Sequence, residues 1–116
     1  MQYMLLIYDT EGSLDSLSDE ARKAFMGEYF SYTEGLRAAG KFVAGDALQP
    51  TATATSVRVR DGERLTTDGP FAETKEQLGG YYLIDAASLD EALAWAAKIP
   101  SARLGTIEVR PVMVYG

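Results

Sequence analysis

Two stretches of the chain bring together residue types that could do chemistry, and the first is the loop Asp68-Gly69-Pro70-Phe71-Ala72-Glu73-Thr74-Lys75-Glu76. Glycine and proline restrict its backbone, and carboxylates act as general bases without histidine. Its lysine could hold an anionic substrate or pair with a carboxylate. The loop therefore supplies three candidate catalytic residues, Asp68, Glu73 and Lys75, and three candidate ligand contacts, Gly69, Pro70 and Phe71. The structural alternative is a solvated turn of mixed charge.

The second stretch is the last strand, where Glu108 and Arg110 are two residues apart and share a face. Thr106, Val112 and Val114 share that face, whereas Ile107, Val109 and Met113 should meet the helices. A charged pair on a face that we expect to be covered either lines a cavity or forms an ion pair that holds an interface. We predict Arg110 as a fourth catalytic residue and Glu108 as a ligand contact.

Three tyrosines, Tyr8, Tyr81 and Tyr82, could add phenol hydroxyls to a pocket, although such residues more often belong to the core with the hydroxyl at its rim. Asp9, Glu11 and Asp15 could bind a hard cation. They lack the spacing and the central glycine of a calcium loop, so we predict no metal site.

Composition excludes several classes of chemistry. The 116 residues contain neither cysteine nor histidine. Thiolate nucleophiles, iron–sulfur clusters and thiol-ligated zinc are therefore ruled out, as are the usual ligands of haem and catalytic zinc. We predict no cofactor. The net charge of −6, with acids spread along the chain, argues against nucleic acid or an anionic membrane as the main partner.

Patterning predicts one α+β domain over residues 1–116. The start is too short and lacks the basic flank of a targeting segment, so a cytoplasmic protein is expected. A strand at 3–8 precedes a helix that begins at Ser18 and ends at Gly40. The later elements are a strand at 41–48, a hairpin turning at Asp61-Gly62, a loop with a helical turn at 72–78, a strand at 80–85, a helix after the capping box that begins at Ser88, and a strand at 106–115.

This order is the ferredoxin-like plan with an inserted hairpin, which places both helices on one face of an antiparallel sheet. The first strand, Tyr3-Met4-Leu5-Leu6-Ile7-Tyr8, is apolar on both faces. A strand of this kind cannot leave its second face in water, so a second copy of the chain should cover that face. The sequence therefore predicts a homodimer.

The chain resembles the DGPF proteins of the YCII-related family through a long loop motif. The motif consists of Asp68-Gly69-Pro70-Phe71, Glu73, Lys75-Glu76 and Gly79-Gly80-Tyr81-Tyr82, framed by Leu5-Leu6-Ile7-Tyr8 and residues 40–45. The resemblance implies the dimeric α+β barrel fold. YCII-like relatives have been proposed as enzymes of muconolactone-isomerase or dehydrochlorinase type that use a His and an Asp near the first helix. This chain has no His and offers Tyr29 and Tyr32 there. Other DGPF proteins are associated with extracytoplasmic-function sigma factors.

Two functions follow as competing hypotheses. The first is a cofactor-free enzyme or small-molecule binder, with a cavity between the sheet and the loop that Asp68 and Arg110 approach from opposite sides. The second is a regulatory protein that binds a partner through the hairpin or the loop. A third possibility is a stable dimer in which the loop only closes the barrel.

Overall fold

The computed structural model describes residues 1–115, and Gly116, the last residue of the predicted domain, lies outside them. Two helices and six strands form the domain. In chain order these are β1 (Gln2–Asp9), α1 (Asp19–Ala38), β2 (Phe42–Ala47), β3 (Thr55–Arg60), β4 (Glu63–Asp68), β5 (Gln77–Asp85), α2 (Leu89–Ala97) and β6 (Thr106–Pro111). Single 3₁₀ turns at Thr51–Thr53 and Pro100–Arg103 complete the described chain.

Four strands form one antiparallel sheet in the order β2-β5-β1-β6. With the hairpin set aside, the first and third strands lie at the centre and the second and fourth at the edges. This is the ferredoxin-like arrangement, and the α+β prediction is confirmed.

Local sequence signals explain where the helices begin and end. The Ser18 and Ser88 hydroxyls accept hydrogen bonds from the backbone N–H groups of Ala21 and Glu91, three residues into each helix. Both helices carry two acidic residues in the first turn, where the helix dipole favours negative charge. After α1, Gly40 adopts φ +72°, the left-handed conformation that ends the helix.

The core lies between the helices and one face of the sheet. On β1 the alternate residues Tyr3, Leu5 and Ile7 are buried against both helices, while Met4 and Leu6 face the other way and are half-buried. The expectation of an apolar strand with one uncovered face is therefore met. We refer to the sheet surface opposite the helices as the bare face.

Strands β3 and β4 form a separate two-stranded sheet. Asp61 at φ 50° and Gly62 at φ 77° make the two-residue turn with both central φ values positive, as the Asp-Gly pair predicted. No residue of the two strands is buried. The molecule is correspondingly flat, with extents of 48 × 48 × 19 Å. We call β3 and β4 the hairpin arm.

Several predicted boundaries differ from the structure. Residues 72–76 contain no helical turn, and β5 begins at Gln77 rather than at Gly80 because Gln77 and Leu78 pair with Asp9 and Tyr8 of β1. The last strand ends at Pro111, which has no N–H to donate to the sheet. Met113, predicted to meet the helices, lies beyond the strand and is 70% exposed.

Candidate active site

A cavity of about 380 Å³ opens between α1 and the helix-facing side of the sheet. Its apolar walls include Phe25, Tyr29 and Phe42, and two glycines of β5, Gly79 and Gly80, form part of its floor. Glycines leave room for a ligand near the backbone. We name this cavity the helix-side pocket.

Asp9 lies in the wall of the pocket because it ends the buried row of β1. Side chains two residues apart share a face of a strand, so Asp9 follows Tyr3, Leu5 and Ile7 on the side that meets the helices. A bulge between Ile7 and Tyr8 leaves Gly79 unpaired on β5, and a Cβ placed on Gly79 would lie 3.6 Å from the Asp9 carboxylate. The strand thus ends its apolar run with a carboxylate in an apolar cavity.

Two hydroxyl groups adjoin this carboxylate. The Tyr29 phenol donates a hydrogen bond of 2.5 Å to the Ser101 hydroxyl. Ser101 lines the pocket together with Asp9. Tyr29 is brought to the pocket by the apolar stripe of α1, and Ser101 by the 3₁₀ turn that follows α2.

A second pair of hydroxyls lies one helical turn further along α1. Thr33 donates its only hydroxyl proton to the Tyr29 backbone carbonyl, at 3.0 Å. The 2.7 Å contact between the Thr33 and Tyr82 hydroxyls must then have Tyr82 as its donor. The Tyr29 and Tyr82 phenols therefore donate within the protein and keep oxygen lone pairs available to a ligand.

Burial is the main cause that raises the pKa of Asp9 above its usual value. Hydrogen bonding from Ser101 opposes this effect, and the negative charges of Glu76 and Glu11 add to it. Burial likewise raises the pKa of Tyr29, which keeps its phenol protonated as a donor. A carboxyl whose pKa is raised in a cavity is a candidate for proton transfer with a bound molecule.

The pocket has one basic side chain at its edge. The Arg37 guanidinium lies 4.2 Å from the centre of the Phe42 ring, and its Nε is 3.7 Å from Glu34. Leu14, from the loop between β1 and α1, lines the pocket as well. Glu11 of that loop connects it to the 3₁₀ turn at Thr51–Thr53. The Glu11 carboxylate accepts hydrogen bonds from the Thr51 N–H at 2.6 Å and from the Thr51 hydroxyl at 2.9 Å.

The residues predicted from the loop motif lie away from this pocket. Asp68 ends the hairpin arm and is exposed, as are Pro70, Glu73 and Lys75, while Phe71 is 80% exposed. Gly69, at φ 95°, is joined to the start of the arm, because its N–H donates to the Ala54 carbonyl and its carbonyl accepts from Ser56. The motif therefore forms a fixed turn at the base of the arm.

The remaining predicted residues, Tyr8, Tyr81, Glu108 and Arg110, come together on the bare face. In the sheet register Leu6 of β1 lies between Tyr81 and Glu108, and Met4 lies beside Arg110. Tyr81 also contributes to the wall of the helix-side pocket, and its phenol donates to Asp46 at 2.7 Å. Within residues 1–115 Asp68 and Arg110 form no ion pair with each other.

Three pocket residues, Asp9, Tyr29 and Ser101, were not predicted as site residues. The signal for Asp9 was present, since the alternation of Tyr3, Leu5 and Ile7 places residue 9 on the buried face. Ser101 had no such signal, because it lies in a short 3₁₀ turn whose approach to β1 depends on the tertiary fold.

Two absences hold for the part of the chain that the structure describes. Residues 1–115 contain no group of three or more Asp or Glu side chains placed to hold a metal ion. Neither helix in this part of the chain is both long and apolar enough to cross a membrane.

The chain is similar to known proteins in sequence and in fold. The chain is similar to an uncharacterized protein of Rhizobium meliloti (strain 1021), with 42% identity over 99% of this chain and 94% of that protein. Its fold is similar to that of 5-chloro-2-hydroxyhydroquinone dehydrochlorinase from Burkholderia phenoliruptrix AC1100, solved in complex with 2,5-dihydroxybenzoquinone. The TM-score is 0.56 at 19% identity, covering 97% of this chain and 94% of the other. The family pattern of the YCII-related domain matches residues 1–115, and the chain therefore belongs to the YCII-related domain family.

Proposed function

We propose that the chain binds a small molecule in the helix-side pocket and that Asp9 acts there as a general base, in a proton transfer that needs no cofactor. The observation that carries the proposal is a carboxylate in an apolar cavity, with its pKa raised by burial. A charged group is costly in such surroundings, and a structural role would be met more cheaply by an apolar residue. The resulting reaction class is removal of a proton from an acidic C–H or O–H group of the ligand.

The pocket also has the composition of a ligand site. Its walls are mostly apolar, and a few polar groups converge on one region, as in most small-molecule sites. The dehydrochlorinase of similar fold was solved with a small hydroxylated quinone, which supports a ligand of this size for the shared architecture. The likeness does not extend to that enzyme's chemistry.

The proposal can be tested by locating where small molecules bind. We would titrate the isotope-labelled protein with 2,5-dihydroxybenzoquinone and a set of small cyclic ketones and phenols, and follow amide NMR shifts. We expect shift changes around Asp9, Tyr29 and Gly80, and at least tenfold weaker binding to the Asp9→Asn variant. Asp15→Asn is the matched control on an exposed carboxylate. Binding confined to the bare face, or unaffected by Asp9→Asn, would contradict the proposal.

We further propose that the bare face packs against a second copy of the chain. Half-buried Met4, Leu6 and Tyr8 form its centre, and such a face is expected to be covered in solution. Glu108 and Arg110 lie at its β6 side, where a symmetric pairing of two copies would allow each acid to meet the partner's base. This proposal places those two residues in an interface rather than in the pocket.

A second candidate function follows from the hairpin arm. Val57, Val59 and Leu65 are 60%, 62% and 47% exposed on it, which supports binding of a partner protein there. Val57→Lys combined with Val59→Lys would separate the two functions. If the arm only binds a partner, the double variant should retain ligand binding in the pocket and the mass of the unmodified protein.

A further inference from the structure

We propose that Ser101 and Tyr29 are positioning residues for Asp9, and that a one-way chain of hydroxyl groups from the Tyr29 phenol through Ser101 holds the carboxylate in place for proton transfer. The inference rests on the proposed function, since orientation of Asp9 matters to the reaction only if Asp9 is the base. The first link, from Tyr29 to Ser101, is present at 2.5 Å, and the proposed second link, from Ser101 to Asp9, involves no ligand and can be tested in the ligand-free protein.

The first step of the argument is the burial of Ser101. It is only 3% exposed and, among residues 1–115, is the one buried polar residue apart from the tyrosines. A buried hydroxyl needs partners, because leaving it unpaired costs free energy. An alanine at this buried position would need no hydrogen-bond partner, whereas the serine hydroxyl does. Its retention among apolar neighbours therefore points to a specific partner.

The second step is the direction of the hydrogen bonds. A serine hydroxyl has one proton and two acceptor lone pairs, whereas an ionised carboxylate only accepts. The Tyr29 phenol supplies a proton to Ser101 at 2.5 Å. The single proton of Ser101 is then free to point to Asp9, the acceptor whose pKa its hydrogen bond lowers. The three groups form a chain that runs one way, from phenol to carboxylate.

The third step is the rigidity of the segment that carries Ser101. Its carbonyl accepts from the N–H groups of Leu104 at 3.0 Å and Gly105 at 2.8 Å. Gly105 in turn lies directly against the end of β1. A Cβ on Gly105 would lie 2.0 Å from the Tyr8 carbonyl oxygen and 2.8 Å from the Asp9 Cβ. The backbone around Ser101 is thus fixed against the same residues that present Asp9.

The arrangement has a consequence for how Asp9 works. A hydrogen bond from Ser101 favours the ionised carboxylate, whereas burial disfavours it. One serine hydroxyl occupies only one of the acceptor positions of a carboxylate, so others remain for a ligand. Ser101 and Tyr29 therefore favour the ionised form of the half-buried Asp9, which is the form that can take up a proton.

The test measures the Asp9 titration directly, by ¹³C NMR of the side-chain carboxyl in the ligand-free protein. We expect Ser101→Ala to raise the pKa of Asp9 by about one pH unit, the size expected on losing a hydrogen bond to a charged group. Ser101→Cys keeps most of the volume but is a weak donor, and should behave like Ser101→Ala. Tyr29→Phe should raise the pKa by a smaller amount, since Ser101 keeps its proton but loses its fixed orientation.

Tyr82→Phe is the matched control, because it removes a phenol of the same pocket that donates to Thr33 instead. It should leave the Asp9 titration unchanged. An Asp9 pKa that is the same in Ser101→Ala and the unmodified protein, with folding verified by thermal melting, would overturn the inference. So would a Ser101→Cys variant that titrates like the unmodified protein. Neither result depends on ligand binding, so the proposed function can fail or hold independently.

Discussion

Asp9 ends a strand whose other helix-facing residues are all apolar, and its charge is therefore placed where folding alone would not favour it. Natural proteins usually tolerate such a group for function, at a cost in stability. Replacement by a neutral side chain of the same shape should relieve this cost. Stability and ligand binding should then change in opposite directions.

We predict that Asp9→Asn is more stable than the unmodified protein at pH 7. Because burial raises the pKa of Asp9 in the folded protein, the folded state holds this proton more tightly than the unfolded state does. The contribution of Asp9 to stability is full below its unfolded pKa and is lost as the pH rises through the folded pKa. The excess stability of Asp9→Asn should therefore shrink on acidification.

Thermal melts of both proteins from about pH 3 to pH 8 would measure this difference. Asp15→Asn, at an exposed position, should show no such trend. An Asp9→Asn variant that melts below the unmodified protein at every pH would show that the carboxylate stabilises the fold.

The sequence predicted individual site residues less well than it predicted helices and strands. The loop motif brought several reactive residue types together in sequence, and so it was chosen as a catalytic site. In the structure Asp68, Glu73 and Lys75 are exposed and lie outside the helix-side pocket. Tyr29, by contrast, was noted in the first helix but was not among the predicted site residues. The pocket depends on contacts between residues up to 92 positions apart, Asp9 and Ser101, which no local pattern reports.

Elements were predicted far better, since their signals are local. Both serine caps, the glycine that ends α1 and the Asp-Gly turn lie where the sequence placed them. The errors concern stretches where tertiary pairing decides the conformation. Residues 77–79 extend β5 because strands lie on both sides of it, and the motif loop before them shows no helical periodicity.

Glycines inside and between elements give a matched pair of predictions. Gly27 lies in the middle of α1, and a Cβ there meets nothing within 4 Å. Gly27→Ala should therefore stabilise the protein by about 0.5–1 kcal/mol, because alanine favours the helix. Gly105→Ala should instead destabilise it by about 2–3 kcal/mol, because the new methyl group would overlap the Tyr8 carbonyl and push β6 from β1.

Urea denaturation of the two alanine variants would give both values. The Gly105 variant should also disturb the NMR signals of Asp9 and Ser101, whereas the Gly27 variant should not. A Gly105→Ala protein as stable as the unmodified one would mean that the close contact with β1 relaxes without cost.

At the scale of the whole molecule, the chain is less compact than is usual for its length. A compact chain of this length has a radius of gyration of about 13 Å, whereas this one has 16.3 Å. The excess comes from the projecting hairpin arm and the flat sheet with its uncovered face. The need for a covered face was visible in the sequence of β1. The projection of the arm was not, because alternating Val and Arg residues suit any two-stranded hairpin.

The bare face gives the prediction at this scale. Light scattering at micromolar concentration should report twice the chain mass, and Leu6→Glu should reduce it to one chain. Leu6 lies at the centre of the face beside Glu108, so a second acid there adds repulsion to lost apolar contact. Leu93→Glu, on the exposed side of α2, is the control and should remain dimeric. A Leu6→Glu protein with the unmodified mass would remove the bare face as the interface.

The tip of the hairpin arm provides a route to measuring that assembly. The chain has no cysteine, so a thiol introduced at Asp61 would be the only attachment point for a spin label or a fluorophore. Asp61 is exposed, and its turn belongs to the two-stranded sheet rather than to the sheet that carries the pocket. In a two-copy assembly, one label on each hairpin arm would allow the distance between the two arms to be measured. Their separation would report directly whether ligand in the pocket moves the arms.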